Sequence, residues 1–101
     1  MESKAFILLR LAKLEELFLQ QSKAQSRMEW ETTIPNTELT LVAVYIRDIK
    51  GTLSHALILK DCYYERKRQQ YQLTFQSMCD LFLDWYETYS ELPEDHNNPP
   101  M

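Results

Sequence analysis

Apolar side chains return at helical spacing near the start of the chain, with Ile7, Leu11, Leu14 and Phe18 at i, i+4, i+7 and i+11. Ser3 can cap, and no Pro or Gly interrupts the stretch through Arg27, so the period predicts a helix over residues 3–26. Phe6, Leu8, Leu9, Leu17 and Leu19 widen the apolar surface beyond what packing on one core requires. A face that wide is expected to be covered on two sides. Ile7, Leu11, Leu14 and Phe18 are therefore candidates for a homodimer interface, the alternative being a central helix wrapped by its own sheet.

Residues 27–37 contain Pro35, which lacks a donor and biases Ile34 away from helix, so they read as a connection. Residues 39–47 (Leu-Thr-Leu-Val-Ala-Val-Tyr-Ile-Arg) are rich in β-branched and aromatic side chains and read as a strand. Asp48-Ile49-Lys50-Gly51 follows, with Gly51 where a type I turn with a G1 bulge needs positive φ. The return strand is residues 52–60, carrying Leu53, Leu57 and Leu59 on one face.

Residues 61–76 support two patterns. Tyr71, Phe75 and Met78 can join Phe82, Trp85 and Tyr89 in one long helix. Tyr71, Leu73 and Phe75 also alternate with Gln72, Thr74 and Gln76 as a strand would. Ser77 with Asp80 approximates a capping box, which places a helix start at 77–78, and a third strand supports an otherwise marginal hairpin. The expected fold is α+β: an N-terminal helix, a three-stranded antiparallel meander and a C-terminal helix. The alternative is a mostly α chain with a long C-terminal helix. The expected domain is residues 1–92, ended by Leu92-Pro93, with 93–101 an acidic, Pro-rich disordered tail.

Charge adds one feature. All eleven Lys and Arg lie at or before Arg68, whereas six of the fifteen acids follow it. Asp80, Asp84, Glu87 and Glu91 form one stripe on the last helix, opposite Phe82, Trp85 and Tyr89. Late-helix acids do not complement the macrodipole, so the stripe is a candidate surface for a partner protein with basic character. The one basic cluster, Arg66-Lys67-Arg68, is interleaved with Tyr63, Tyr64 and Tyr71. Rings bordered by cations can stack bases and hold phosphates, which gives an alternative reading as an RNA- or DNA-binding segment. The simpler reading of three adjacent charges is a solvated loop, and the net charge of −4 ranks nucleic acid second.

The remaining composition narrows the chemistry. One glycine in 101 residues is too few for phosphate-cradling loops or a nucleophile elbow. Cys62 and Cys79 show no C-x-x-C pairing, and His55 and His96 are remote, so no zinc spacing is present. His55 in a mostly apolar strand reads as a packed residue with one hydrogen bond. Asp61 beside Cys62 disfavours a thiolate, which argues against a nucleophile. Residues 5–9 are apolar, but Arg10 and Lys13 stop the run short of a signal core or membrane span. The expectation is a small non-enzymatic regulatory or adaptor protein, cytoplasmic or nuclear, homodimeric, with reduced thiols and no cofactor, metal or membrane.

Overall fold

The structure, a computed structural model, describes residues 3–21 and 25–90. The element order is α1 (Lys4–Leu19), β1 (Ser26–Thr33), β2 (Thr40–Arg47), β3 (Leu53–Lys60), β4 (Arg66–Leu73) and α2 (Phe75–Ser90). The strands form one antiparallel meander in the order β1-β2-β3-β4. The class is α+β, as the pattern of the sequence predicts, but the sheet has four strands rather than three.

The additional strand is β1, inside the segment expected to be a connection. Its residues alternate half-buried and exposed along the whole strand. Met28 and Trp30 face the helices while Arg27, Glu29 and Glu31 face away, which is the period-2 pattern of an edge strand. Pro35 acts one step later. With Asn36 at φ 63 it makes the turn that closes on Thr37 N–H to Ile34 C=O (3.2 Å), the arrangement of Pro and Asn that a type II turn favours.

Residues 61–76 resolve into β4 and the first residues of α2, so the long-helix alternative does not hold. The last helix begins at Phe75 rather than at 77–78, because Thr74 Oγ1 accepts from Ser77 N–H (3.0 Å) and performs the capping expected of Ser77. The first helix begins where expected, with Ser3 Oγ accepting from Phe6 N–H (3.1 Å), but it ends at Leu19 instead of 26. Glu91, Leu92-Pro93 and the tail expected to be disordered lie outside the described residues.

Both helices cover one face of the sheet. Ile7, Leu11 and Phe18 from α1 and Met78, Phe82, Trp85 and Tyr86 from α2 join Leu41, Ala43, Tyr45, Leu57 and Leu59 in the main core. β2 and β3 are apolar on both faces, and Val42, Val44, Ala56 and Ile58 form a second, smaller buried cluster on the opposite face. This double-sided apolar content is what makes β2 and β3 the central pair and leaves the polar β1 and β4 as edges.

Three polar contacts tie α1 to the sheet. Tyr45 donates its hydroxyl to the Leu11 carbonyl (2.7 Å), and Arg47 donates to the Phe18 carbonyl (3.3 Å), where a cation suits the helix C-terminus. His55 Nε2 donates to Glu15 Oε1 (2.8 Å). His55 is 5% exposed and packs edge-on against Tyr45, so it is the packed, singly bonded imidazole that its strand position suggested. Lys4 pairs with Glu87 near the end of α2, while Glu15 and Phe75 both approach His55. The helices therefore run antiparallel, side by side.

Candidate functional site

The apolar face proposed for dimerisation is used within the chain. Ile7, Leu11 and Phe18 are fully buried against the sheet and Leu14 is half-buried against the same core. Placing them at a subunit interface is therefore corrected: the sheet provides the cover that a second subunit was expected to give. The widening residues remain outside. Phe6, Leu8, Leu9, Leu17 and Leu19 are exposed, Leu9 to 69%. Phe6, Leu9, Arg10 and Lys13 line a shallow groove of about 300 Å³, with the Arg10 guanidinium 5.8 Å from the Phe6 ring centre.

The acidic stripe lies beside this helix. Asp80, Asp84 and Glu87 are exposed on α2, opposite the side that buries Phe82 and Trp85. Glu87 is engaged by Lys4, and Asp80 accepts from Gln76 Nε2 (3.0 Å). Asp84 stands between them on the same face. The outer surface of the helical layer thus joins apolar and basic positions of α1 to acidic positions of α2. Glu91, the fourth member of the stripe, is outside the described residues.

The basic and aromatic segment does not form a single patch. Arg66, Lys67 and Arg68 lie in an edge strand, not in a loop, and register irregularities between Leu59 and Lys60 send them in different directions. Arg66 donates to the Tyr71 hydroxyl (3.2 Å) on the face away from the helices. Lys67 pairs with Asp61 (3.2 Å) and Glu65 (3.4 Å). Arg68 lies over the Trp85 ring at 4.4 Å and donates to the Tyr89 hydroxyl (3.4 Å) on the helix side. Tyr63 and Tyr64 occupy the β3–β4 turn with 84% and 74% exposure, and Lys60 Nζ sits 4.4 Å from the Tyr64 ring centre.

That turn repeats the preceding one. Asp48 Oδ1 accepts from Lys50 N–H (2.9 Å) and Thr52 N–H (2.8 Å), and Asp61 Oδ1 accepts from Tyr63 N–H (2.9 Å) and Glu65 N–H (3.0 Å). The left-handed position is Gly51 in the first, at φ 86, and Tyr64 in the second, at φ 65. An exposed tyrosine in a conformation that favours glycine is a feature that sequence reasoning missed. The signal was present in the matching spacing of Asp48-x-x-Gly51-Thr52 and Asp61-x-x-Tyr64-Glu65.

The two thiols lie in different elements. Cys62 is exposed in the β3–β4 turn and Cys79 is buried in α2. Burial, then the charges of Asp80 and Glu15, push the Cys79 thiol up to about 11. Partial desolvation and then Glu38 push Cys62 up as well, so both thiols favour the protonated, unreactive form. Among the described residues, no group of three His, Cys, Asp or Glu side chains converges as metal ligands would, and no helix is long and apolar enough to cross a membrane. Compared with known proteins, the chain matches no family model, no curated protein and no solved structure.

Proposed function

We propose that this chain is a small, non-enzymatic interaction module of regulatory or adaptor type that binds another protein through the outer surface of its helical layer. The observation that carries the reading is the concentration of exposed apolar side chains on α1. Phe6, Leu8, Leu9, Leu17 and Leu19 stay outside although Ile7, Leu11 and Phe18 already fill the core. The adjacent acids Asp80, Asp84 and Glu87 favour a partner segment that combines apolar anchors with basic residues. Two free thiols, both held protonated, suit a reducing compartment such as the cytoplasm.

The test uses surface substitutions that leave the core intact. A Leu9→Glu, Leu17→Glu variant should fold as the wild type does and lose the partner that the wild type retains in a pull-down from the source cell. A variant that retains the same protein with unchanged affinity would remove α1 from the interface.

A second reading, nucleic-acid binding, is supported by the exposure of Tyr63 and Tyr64 beside Lys60 and Arg66. It is opposed by the engagement of Lys67 with two carboxylates. Phosphate contacts give binding that weakens steeply with salt, so filter binding of single-stranded RNA at two ionic strengths separates the readings.

A further inference from the structure

The two sheet edges differ. β4 carries register irregularities on both sides of its pairing with β3, a run of like charge at Arg66 to Arg68, and Gln72 at φ 57. Bulges and like charges are how edge strands discourage further pairing. β1 pairs with β2 in unbroken register over all eight residues, from Ser26 opposite Arg47 to Thr33 opposite Thr40. Its charged row on the face away from the helices has a cation at one end, Arg27, and acids at Glu29 and Glu31, and such a row can complement a second copy of itself that runs antiparallel.

The ladder also shows which backbone groups are free to do so. Ile34 N–H donates to the Leu39 carbonyl (2.8 Å), so by antiparallel alternation Met28, Trp30 and Thr32 direct their N–H and C=O groups at β2. Those of Arg27, Glu29, Glu31 and Thr33 point away from the sheet, and among the described residues β1 has β2 as its sole neighbour. The helices lie over β2, β3 and β4, and Trp30 reaches them by stacking on Phe82 at 5.6 Å. Met28 and Trp30 are thus half-buried, with a flank open beside the edge.

We propose that β1 pairs antiparallel with β1 of a second copy, centred on Glu29, to give a continuous eight-stranded sheet with all four helices on one side. In this register Arg27 faces Glu31 of the second copy twice, and Met28 faces Trp30 twice on the helix side. Three hydrogen-bonded pairs form from the outward groups of Arg27, Glu29 and Glu31. A register centred on Trp30 sets Glu29 against Glu31 twice and is repelled. One centred on Met28 runs into Gln25, whose φ of 53 leaves the extended region. Glu29 meets its own copy at the twofold axis, and each is already held by its own Arg27 at 2.7 Å. The surface is separate from the helical layer, so this pairing stands or falls independently of the partner binding proposed above.

Sedimentation velocity over a micromolar concentration series tests it. The wild type should show a monomer–dimer equilibrium. Arg27→Glu and Glu31→Arg, each alone, should weaken dimerisation by about tenfold or more, because each sets like charges opposite twice. An equimolar mixture of the two variants should restore it as a heterodimer, since both contacts then join opposite charges. Glu29→Gln should tighten the dimer by removing the repulsion at the axis. Glu29→Pro should abolish pairing with the monomer still folded by circular dichroism, because the lost N–H serves no bond to β2. A wild type that stays monomeric at high micromolar concentration would overturn the proposal. So would a dimer indifferent to either charge reversal, or a mixture that restores nothing.

Discussion

At Gly51 an added Cβ would meet no atom within 4 Å, yet its φ of 86 lies where side chains are strained. Gly51→Val should therefore cost about 1 kcal/mol or more through the backbone alone, read as a lower urea midpoint with an unchanged slope. Tyr64 supplies the converse experiment. Its turn has the same hydrogen bonds and its φ is 65, so Tyr64→Gly should release strain of roughly 1 kcal/mol. About 0.5 kcal/mol of that is offset by losing the contact between Lys60 and the ring. A raised midpoint for Tyr64→Gly together with impaired binding would mark the tyrosine as kept for function rather than for the fold. The capping carboxylate gives a pH signature. The Glu65 N–H, with that of Tyr63 and the Lys67 ammonium, holds Asp61 below the usual carboxylate range. A depressed folded-state value means that the contribution is complete above the unfolded value near 3.8 and is lost as pH falls through the folded one. The stability advantage of wild type over Asp61→Ala should thus persist at neutral pH and shrink below pH about 4, as urea titrations at both ends would show.

Among the elements, α1 divides most sharply into used and unused positions, and two leucines measure the division. Leu11 is fully buried beneath the helix, whereas Leu9 is 69% exposed. Leu11→Ala should cost about 2–5 kcal/mol through lost burial and the cavity left behind. Leu9→Ala should stay within about 0.5 kcal/mol of wild type in the same denaturation assay. The helical period identified the buried row correctly because Ile7, Leu11 and Phe18 share one face whatever packs on them. It could not say what packs on them, since that depends on contacts with strands tens of residues away. The missed strand has a similar cause. Met28, Trp30 and Thr32 alternate with Arg27, Glu29 and Glu31 as an edge strand requires, but two of those inward residues are not β-branched and Pro35 follows closely. Local breakers thus outweighed a period that gains its meaning only once β2 lies alongside. The hairpin around Gly51 was legible because its turn chemistry is entirely local. The acidic stripe was legible for the same reason, as α2 keeps one helical phase through Asp80, Asp84 and Glu87. Arg66 to Arg68 were not, because the bulge that scatters them arises from pairing with β3.

Across the whole molecule both signs of charge occur on each surface, but within the helical layer they divide by element. There α2 exposes Asp80, Asp84 and Glu87, while α1 exposes Arg10 and Lys13. A basic partner approaching the helical layer should therefore be steered by the acids before the apolar side chains of α1 make contact. Reversing Asp84 and Glu87 to Lys tests this without entering the core, although it also replaces the Lys4–Glu87 pair with a repulsion. That pair joins two half-exposed side chains, so its loss should change stability by no more than about 1 kcal/mol. Association with the partner should slow in the double reversal at low salt, with dissociation altered less, because steering acts on encounter. The wild-type rate should itself fall as salt rises, since exposed charges are screened beyond roughly 8 Å at physiological ionic strength. At high salt the two proteins should then converge towards the same slow rate, set by the apolar residues of α1. Stopped-flow association at two salt concentrations decides the matter. Equal rates for both proteins under both conditions would take α2 out of the binding surface and leave Phe6, Leu9 and Leu17 to account for recognition alone.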